Sequence, residues 1–232
     1  MDSFGEWPSA LLMGVAVNDK KRVGIFGGSF DPPHVGHEAL LYQAMKWLPL
    51  SEIWVVPTGI PVHRPSSVHV DLQQRWRWLE MIFQDIPYVR LVDWEMKRNQ
   101  PTAAIDTLRW IKAMAPDVMP VWLMGDDAFA KMDHWVEFPD HLNYCSVAVF
   151  ERKGFPANVE NSENRSSMLH GWDDSLPLTA LGGLQRLQVA LPEVSSTQIR
   201  IDAEAGKSLQ GLIPERIREE VEALYARKKC NR

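Results

Sequence analysis

Apolar and polar positions along the chain switch repeatedly between a strand-like and a helix-like period. Val23-Gly24-Ile25-Phe26 is a short β-prone run that ends in Gly27-Gly28, as a buried parallel strand would. Over residues 35–48 the apolar positions Val35, Ala39, Leu40, Ala44, Met45 and Trp47 or Leu48 recur at helical spacing. A second strand, Ile53-Trp54-Val55-Val56, stops at Pro57-Thr58-Gly59, and residues 60–70 show no period and read as a loop. The pattern then repeats. Asp71 is placed to cap a helix over 72–84, and Val89-Arg90-Leu91-Val92 is a strand. A helix over 102–115 ends at Pro116, and Val121-Trp122-Leu123-Met124 is a strand broken by Gly125-Asp126-Asp127. A short helix and the strand Ser146-Val147-Ala148-Val149-Phe150 follow.

Residues 152–185, rich in Gly, Ser, Asn and Pro, predict an irregular insert. Gln188-Val189-Ala190-Leu191 reads as a last strand, with helices near 196–205 and 214–228 after it. Strands alternating with helices of this length imply parallel pairing, right-handed crossovers and a Rossmann-like doubly wound α/β sheet with C-terminal helices. No internal repeat or linker divides the chain. Residues 1–20 are expected to form an extension, and 21–232 one domain.

Composition changes this picture little. The 232 residues are 45% apolar and 24% charged, ordinary values for a folded domain. The net charge of −5 argues against a nucleic-acid binder working through a broad basic surface, but not against a nucleotide pocket. Two distant cysteines, Cys145 and Cys230, make neither a disulfide scaffold nor a zinc motif and suit a reducing, cytoplasmic setting. No apolar run approaches the ~18 residues that cross a bilayer. The apolar stretch at residues 10–17 lacks the basic flank of a signal peptide.

The candidate chemistry lies at the end of the first strand. Ligands of an open α/β sheet bind beyond the carboxyl ends of its strands, where helix N-termini converge. Gly27 and Gly28 leave a backbone that can take unusual φ values and let a phosphate approach closely. Asp31 is placed as helix cap, with Pro32 near the first position. His34 and His37, with Gly36 between them, then share a face at the helix start. Two imidazoles beside a positive helix end suit a reaction in which negative charge grows on phosphate oxygens. A lone His-x-x-His would more often be a pair of surface or capping histidines, and a zinc site would lack a third ligand beyond Asp31.

Gly-Ser-Phe-Asp-Pro-Pro-His-Val-Gly-His, residues 27–37 with their leading Gly-Gly, resembles the signature of the HxGH nucleotidyltransferase superfamily. In this long form it is similar to the bacterial nicotinate-nucleotide adenylyltransferases. Pro61-Val62-His63-Arg64-Pro65, Glu95-Met96-Lys97-Arg98-Asn99-Gln100-Pro101, Leu123-Met124-Gly125-Asp126-Asp127, His134-Trp135 and Val194-Ser195-Ser196-Thr197-Gln198-Ile199-Arg200 match that family in order, from about residue 22 to 226. The resemblance implies the fold of the HxGH nucleotidyltransferases and transfer of AMP from ATP, handled with Mg²⁺, to nicotinate mononucleotide, giving deamido-NAD and pyrophosphate.

It further implies that His34, His37 and Arg200 are catalytic. Gly27, Gly28, Ser29, Phe30, Gly36, Gly125, Asp127, Ser196 and Thr197 would hold ATP, and His63, Arg64, Thr102 and Trp135 the nicotinate nucleotide. No metal ligand, nucleic-acid partner or membrane partner is implied. Each residue also has a plainer role: Ser196 and Thr197 as helix caps, Asp127 as a cap, Trp135 as core, and His63 and Arg64 as idle loop charges. The chain departs from the family where Ala103 and Ala104 replace a Tyr and a Thr, and where Val136 stands for a frequent Tyr. Sibling adenylyltransferases acting on nicotinamide mononucleotide or phosphopantetheine, and a non-catalytic nucleotide sensor, are the competing readings.

Overall fold

A computed structural model describes residues 20–62, 69–152, 178 and 180–230. His63, Arg64, nearly all of the N-terminal extension and most of the 152–185 insert lie outside the described residues. The elements in chain order are β1 (Lys21–Gly28), α1 (Val35–Trp47), β2 (Glu52–Pro57), β3 (Ile60–Pro61), α2 (Leu72–Phe83), β4 (Val89–Leu91), α3 (Trp94–Lys97), β5 (Pro101–Thr102), α4 (Ala104–Met114), β6 (Val118–Gly125), α5 (Asp126–Phe129), β7 (Ser146–Arg152), β8 (Leu184–Val189), α6 (Ser196–Glu204) and α7 (Glu215–Cys230). Two 3₁₀ turns, Met132–His134 and Asp140–Asn143, join α5 to β7.

Six strands pair in parallel in the order β4-β2-β1-β6-β7-β8. The sheet grows outward in both directions from β1 and β6, so the topological switch lies between these two strands. β1 pairs with β2 through Gly27 opposite Val56 and with β6 through Ile25 opposite Trp122. Alternate residues of β1 feed opposite layers, as the two-residue period of a strand requires. Phe26 enters a core with Leu40, Leu41, Met45, Trp78 and Tyr225. Val23 and Ile25 enter the other, with Leu108, Ile111, Trp122 and Met132. Both faces of the sheet are therefore covered, which explains why its central strands are continuous apolar runs.

Several expected boundaries move. β8 begins at Leu184 and ends at Val189, where a strand over 188–191 was expected, so the end of the insert is sheet. As the outermost strand it pairs only with β7 and is partly exposed, and its sequence Leu-Gln-Arg-Leu-Gln-Val lacks the uniform apolar run of a central strand. The expected loop after β2 contains β3, which pairs with β5 through Ile60–Pro101 and Pro61–Thr102. Thr102 consequently sits in a strand, and α4 begins two residues later. Gly59 makes this crossing possible: a Cβ there would collide with the backbone carbonyl of Glu95.

Candidate active site

The cavity opens where β1 and β6 end. Gly27 and Gly28 close one wall, and Met124, Gly125 and the first turn of α5 close the other. Its volume is about 500 Å³. A second chamber of about 270 Å³, lined by Pro61, Val62, Ala103 and Val136, shares Thr58, Thr102, Ala104 and Trp135 with the first. A switch-point crevice of this kind is where the topology places a ligand.

The start of α1 differs from expectation in an informative way. Asp31 is not the cap. It is 1% exposed, its Oδ1 accepts from the Tyr225 hydroxyl of α7 (2.9 Å), and its Oδ2 accepts from the His69 backbone N–H. His34 is the N-cap instead. Its backbone N–H donates to His37 Nδ1 (3.0 Å), and the His37 backbone N–H donates to the His34 carbonyl (2.9 Å). The two rings stack, with centroids 3.7 Å apart and planes at 19°. Phe26 and Phe30 flank His37, Phe30 edge-on at 5.0 Å.

This packing sets the chemistry of His37. Burial, reinforced by the neighbouring imidazole of His34, holds its pKa well below the ordinary histidine value. The ring is therefore neutral near pH 7. A neutral imidazole that accepts at Nδ1 carries its proton on Nε2, so the hydrogen-bond network assigns His37 as an Nε2–H donor. In this state the His37 ring offers a fixed hydrogen bond and not a full charge.

α6 delivers a second helix N-terminus to the same cavity, through Val194, Ser195 and Ser196. Ser195, not Ser196 or Thr197, caps it by accepting from the Gln198 N–H (3.2 Å). Ser196 instead donates to the Pro32 carbonyl (2.9 Å), tying α6 to the loop before α1. Close approach of these segments requires Gly36, since a Cβ there would lie 2.9 Å from Val194 Cγ1 and 3.0 Å from His34 Nδ1. Two helix dipoles thus converge beside the stacked imidazoles.

The remaining predicted residues fall in different places. His34, His37, Gly27, Gly28, Gly36, Gly125, Asp127, Ser196, Thr102 and Trp135 all line the cavity. Gly27 and Gly28 continue β1 without using their freedom at φ, and the positive φ of the turn falls on Phe30 (48°). Phe30 is buried beneath His37 and Gly28 and supports the wall without lining it. Ser29 is exposed, and its carbonyl accepts from Arg75 (2.6 Å). Asp127 is exposed in the first turn of α5, whose cap is Gly125. Arg200 donates to the Asp31 carbonyl (2.6 Å) and to Thr197 Oγ1 (3.1 Å), outside the cavity lining. Trp135 is held edge-on by Trp122 (5.8 Å) and His141 (5.6 Å) while lining both chambers.

Two residues escape sequence reasoning. Arg75 of α2, 1% exposed, donates to the carbonyls of Ser29, Thr58 (2.9 Å) and Val70 (3.3 Å), stapling three loops at the cavity mouth. Glu95 of α3 is buried in the wall, where Thr107 donates to it (2.6 Å). Glu95 stands in the matching segment 95–101 without a role of its own there, and neither role shows locally, because their partners lie on other elements. Among the described residues no group of three His, Cys, Asp or Glu side chains could hold a metal ion, and no helix is long and apolar enough to cross a membrane.

Comparison with known proteins agrees with this geometry. The chain is 32% identical over 197 residues to a Hydrogenovibrio crunogenus protein named "Probable nicotinate-nucleotide adenylyltransferase", covering 85% of this chain and 93% of that one. A Thermotoga sp. (strain RQ2) protein of the same name is 30% identical over 209 residues, covering 90% and 99%. The fold matches Plasmodium falciparum nicotinic acid mononucleotide adenylyltransferase complexed with NaAD, with a TM-score of 0.65 at 20% identity, covering 90% of this chain and 95% of that one. With the family model "Cytidylyltransferase-like" matching residues 25–201, the span from β1 to the heart of α6 that builds this cavity, the chain belongs to the cytidylyltransferase-like family, in the group of the nicotinate-nucleotide adenylyltransferases.

Proposed function

We propose that this protein transfers AMP from ATP to nicotinate mononucleotide, forming deamido-NAD and pyrophosphate. The observation that carries the reading is the stacked His34–His37 pair at a helix start, with His37 held neutral by burial, facing a cavity that continues past Trp135 into a second chamber. The relatives named above supply the substrate class. In the reaction a phosphate oxygen of the acceptor bonds to the α-phosphorus of ATP while the bond to the bridging oxygen breaks. The electron pair of that bond leaves with pyrophosphate.

No enzyme nucleophile is required, so catalysis reduces to alignment and stabilisation of growing charge. The Nε2–H of His37 and the positive ends of the α1 and α6 dipoles are fixed before reaction, and they need no reorganisation. Arg200, anchored to Asp31 and Thr197, completes the positive field at the α6 end. Asp127 is assigned to the ATP ribose beside Gly125, and Trp135 to stacking on the pyridine ring, with Thr102 as a hydroxyl partner. ATP would enter as its Mg²⁺ complex, the metal serving as part of the substrate and offsetting phosphate charge. A reducing, cytoplasmic setting fits Cys145, a buried free thiol.

The test is pyrophosphate release with ATP and, in separate assays, nicotinate mononucleotide, nicotinamide mononucleotide, phosphopantetheine and FMN. Nicotinate mononucleotide is expected to give the highest kcat/KM. Preference for another acceptor would reassign the enzyme within its superfamily. No release with any of them would favour a sensor.

A further inference from the structure

Of the carboxyl groups lining the cavity, Asp127 is assigned to the ribose and Asp126 accepts from the Asp127 N–H, which leaves the buried Glu95 without a task in the histidine-centred reaction. Glu95, on α3, is 6% exposed and lines the main cavity. Thr107 Oγ1 donates to its Oε1 at 2.6 Å, and the Gly59 backbone N–H is its second donor. These partners fix its place. Gly59 follows Thr58, and Thr107 lies one turn into α4 from Ala104; Thr58 and Ala104 line both chambers. Glu95 lines the main cavity and not the second chamber, so the carboxyl stands on the Thr58–Ala104 side, where the two chambers meet.

Among the described residues no cation forms an ion pair with it. The charged groups that face it are Asp106 of α4, Arg98 just beyond α3 and Arg75 of α2. Asp106 accepts from the Ala103 N–H and repels the carboxyl. The Arg98 guanidinium lies over the Trp94 ring at 4.6 Å, and Arg75 is committed to three backbone carbonyls. Burial first, with Asp106 adding to it, raises the Glu95 pKa to about 7, while Thr107, Gly59 and Arg98 oppose the shift.

Resting on the proposed reaction, we infer that Glu95 is a specificity-determining residue: protonated, it admits the ring carboxylate of an acidic pyridine mononucleotide, and ionised, it repels that carboxylate. A buried carboxylate and a second one brought against it interact more strongly than the same pair in bulk water, and salt screens them less. Charge on this one side chain is therefore felt by an acid acceptor and not by ATP, whose phosphates lie at the histidine end.

The test measures KM for nicotinate mononucleotide and for ATP between pH 6.5 and 8.5, in the native enzyme and in Glu95→Gln. For nicotinate mononucleotide, KM is expected to rise about tenfold across that range in the native enzyme and to stay within about twofold in the variant. KM for ATP should follow the same course in both proteins. A pH-independent KM for the acid acceptor in the native enzyme, or a rise that survives in Glu95→Gln, overturns the inference. A variant that fails to fold leaves a second measurement on the native protein. Calorimetry near pH 7.5, in buffers of different ionisation enthalpy, should show uptake approaching one proton per nicotinate mononucleotide bound, and no uptake overturns the inference equally. Absence of turnover at every pH would instead defeat the proposed reaction and the inference with it, whereas turnover without the pH effect defeats the inference alone.

Discussion

At the residue scale the decisive fact is a protonation state. His37 accepts from a backbone N–H at Nδ1 and is kept neutral by burial, so its useful atom is the Nε2–H. Losing one fixed donor to a developing oxyanion typically costs roughly 10²–10³ in rate. His37→Ala is therefore expected to lower kcat by about 10² or more while circular dichroism reports an unchanged fold. Near-native turnover in that variant would remove the ring from the mechanism. The pH profile carries a second check. A cationic histidine would lose its effect as pH rises through the ordinary histidine range, but a neutral donor keeps its effect there. The kcat of the native enzyme should thus show no fall attributable to His37 between pH 6.5 and 8. A descending limb in that interval that disappears in His37→Ala would contradict the neutral assignment.

At the scale of elements, the site is a meeting of helix ends, and its tolerance is set by their spacing. Gly36→Ala places a methyl 2.9 Å from Val194 and against the His34 ring. Alanine in a helix is favoured over glycine by about 1 kcal/mol, and overpacking costs typically 1–3 kcal/mol. The two effects nearly offset one another in stability. The displacement of the imidazoles has nothing to offset it. The variant should melt within a few degrees of the native protein yet lose tenfold or more in kcat, and unchanged kcat would show that α1 and α6 need not approach so closely. α7 is tied to the same loop through the buried Tyr225–Asp31 hydrogen bond, across 194 positions of sequence. Tyr225→Phe leaves a buried carboxylate short of a donor and should cost about 1–3 kcal/mol in denaturant unfolding.

The reason Asp31 was misplaced as a cap is visible in that bond. Asp-Pro before a helical run has the local form of a cap, and only a partner at the far end of the chain claims it for the core. The histidine pair of the first motif was legible because its spacing is local, whereas Pro32 falls before a helix that starts only at Val35, and β1 runs straight through Gly27 and Gly28. Glu95 and Arg75 were not legible, because their partners come together only when the sheet closes.

For the whole molecule the same division holds, and it has a thermodynamic consequence. The alternation of buried runs and amphipathic helices was enough to predict a doubly wound parallel sheet, since central strands buried on both faces have no other reading. The edge strand β8 was shifted because exposure dilutes that pattern. What the pattern could not contain is the balance of buried titrations, which folding alone creates. His37 has a folded pKa below its unfolded one, so the unfolded chain takes up a proton that the folded chain refuses. Its contribution is intact above about pH 6.5 and declines as pH falls. Glu95 runs the opposite way, with a folded value of about 7 against an unfolded 4.5. Its contribution is full below pH 4.5 and is lost as pH rises through 7. The interval of about 2.5 pH units corresponds to about 3 kcal/mol. A neutral glutamine retains an acceptor for the Thr107 hydroxyl but has no proton to lose. Glu95→Gln should therefore match the native protein in urea unfolding at pH 5 and exceed it by up to about 3 kcal/mol at pH 8.5. Equal stability of the two proteins at pH 8.5 would mean that Glu95 ionises in the folded state as easily as in water, and that the cavity wall is wetter than its packing implies.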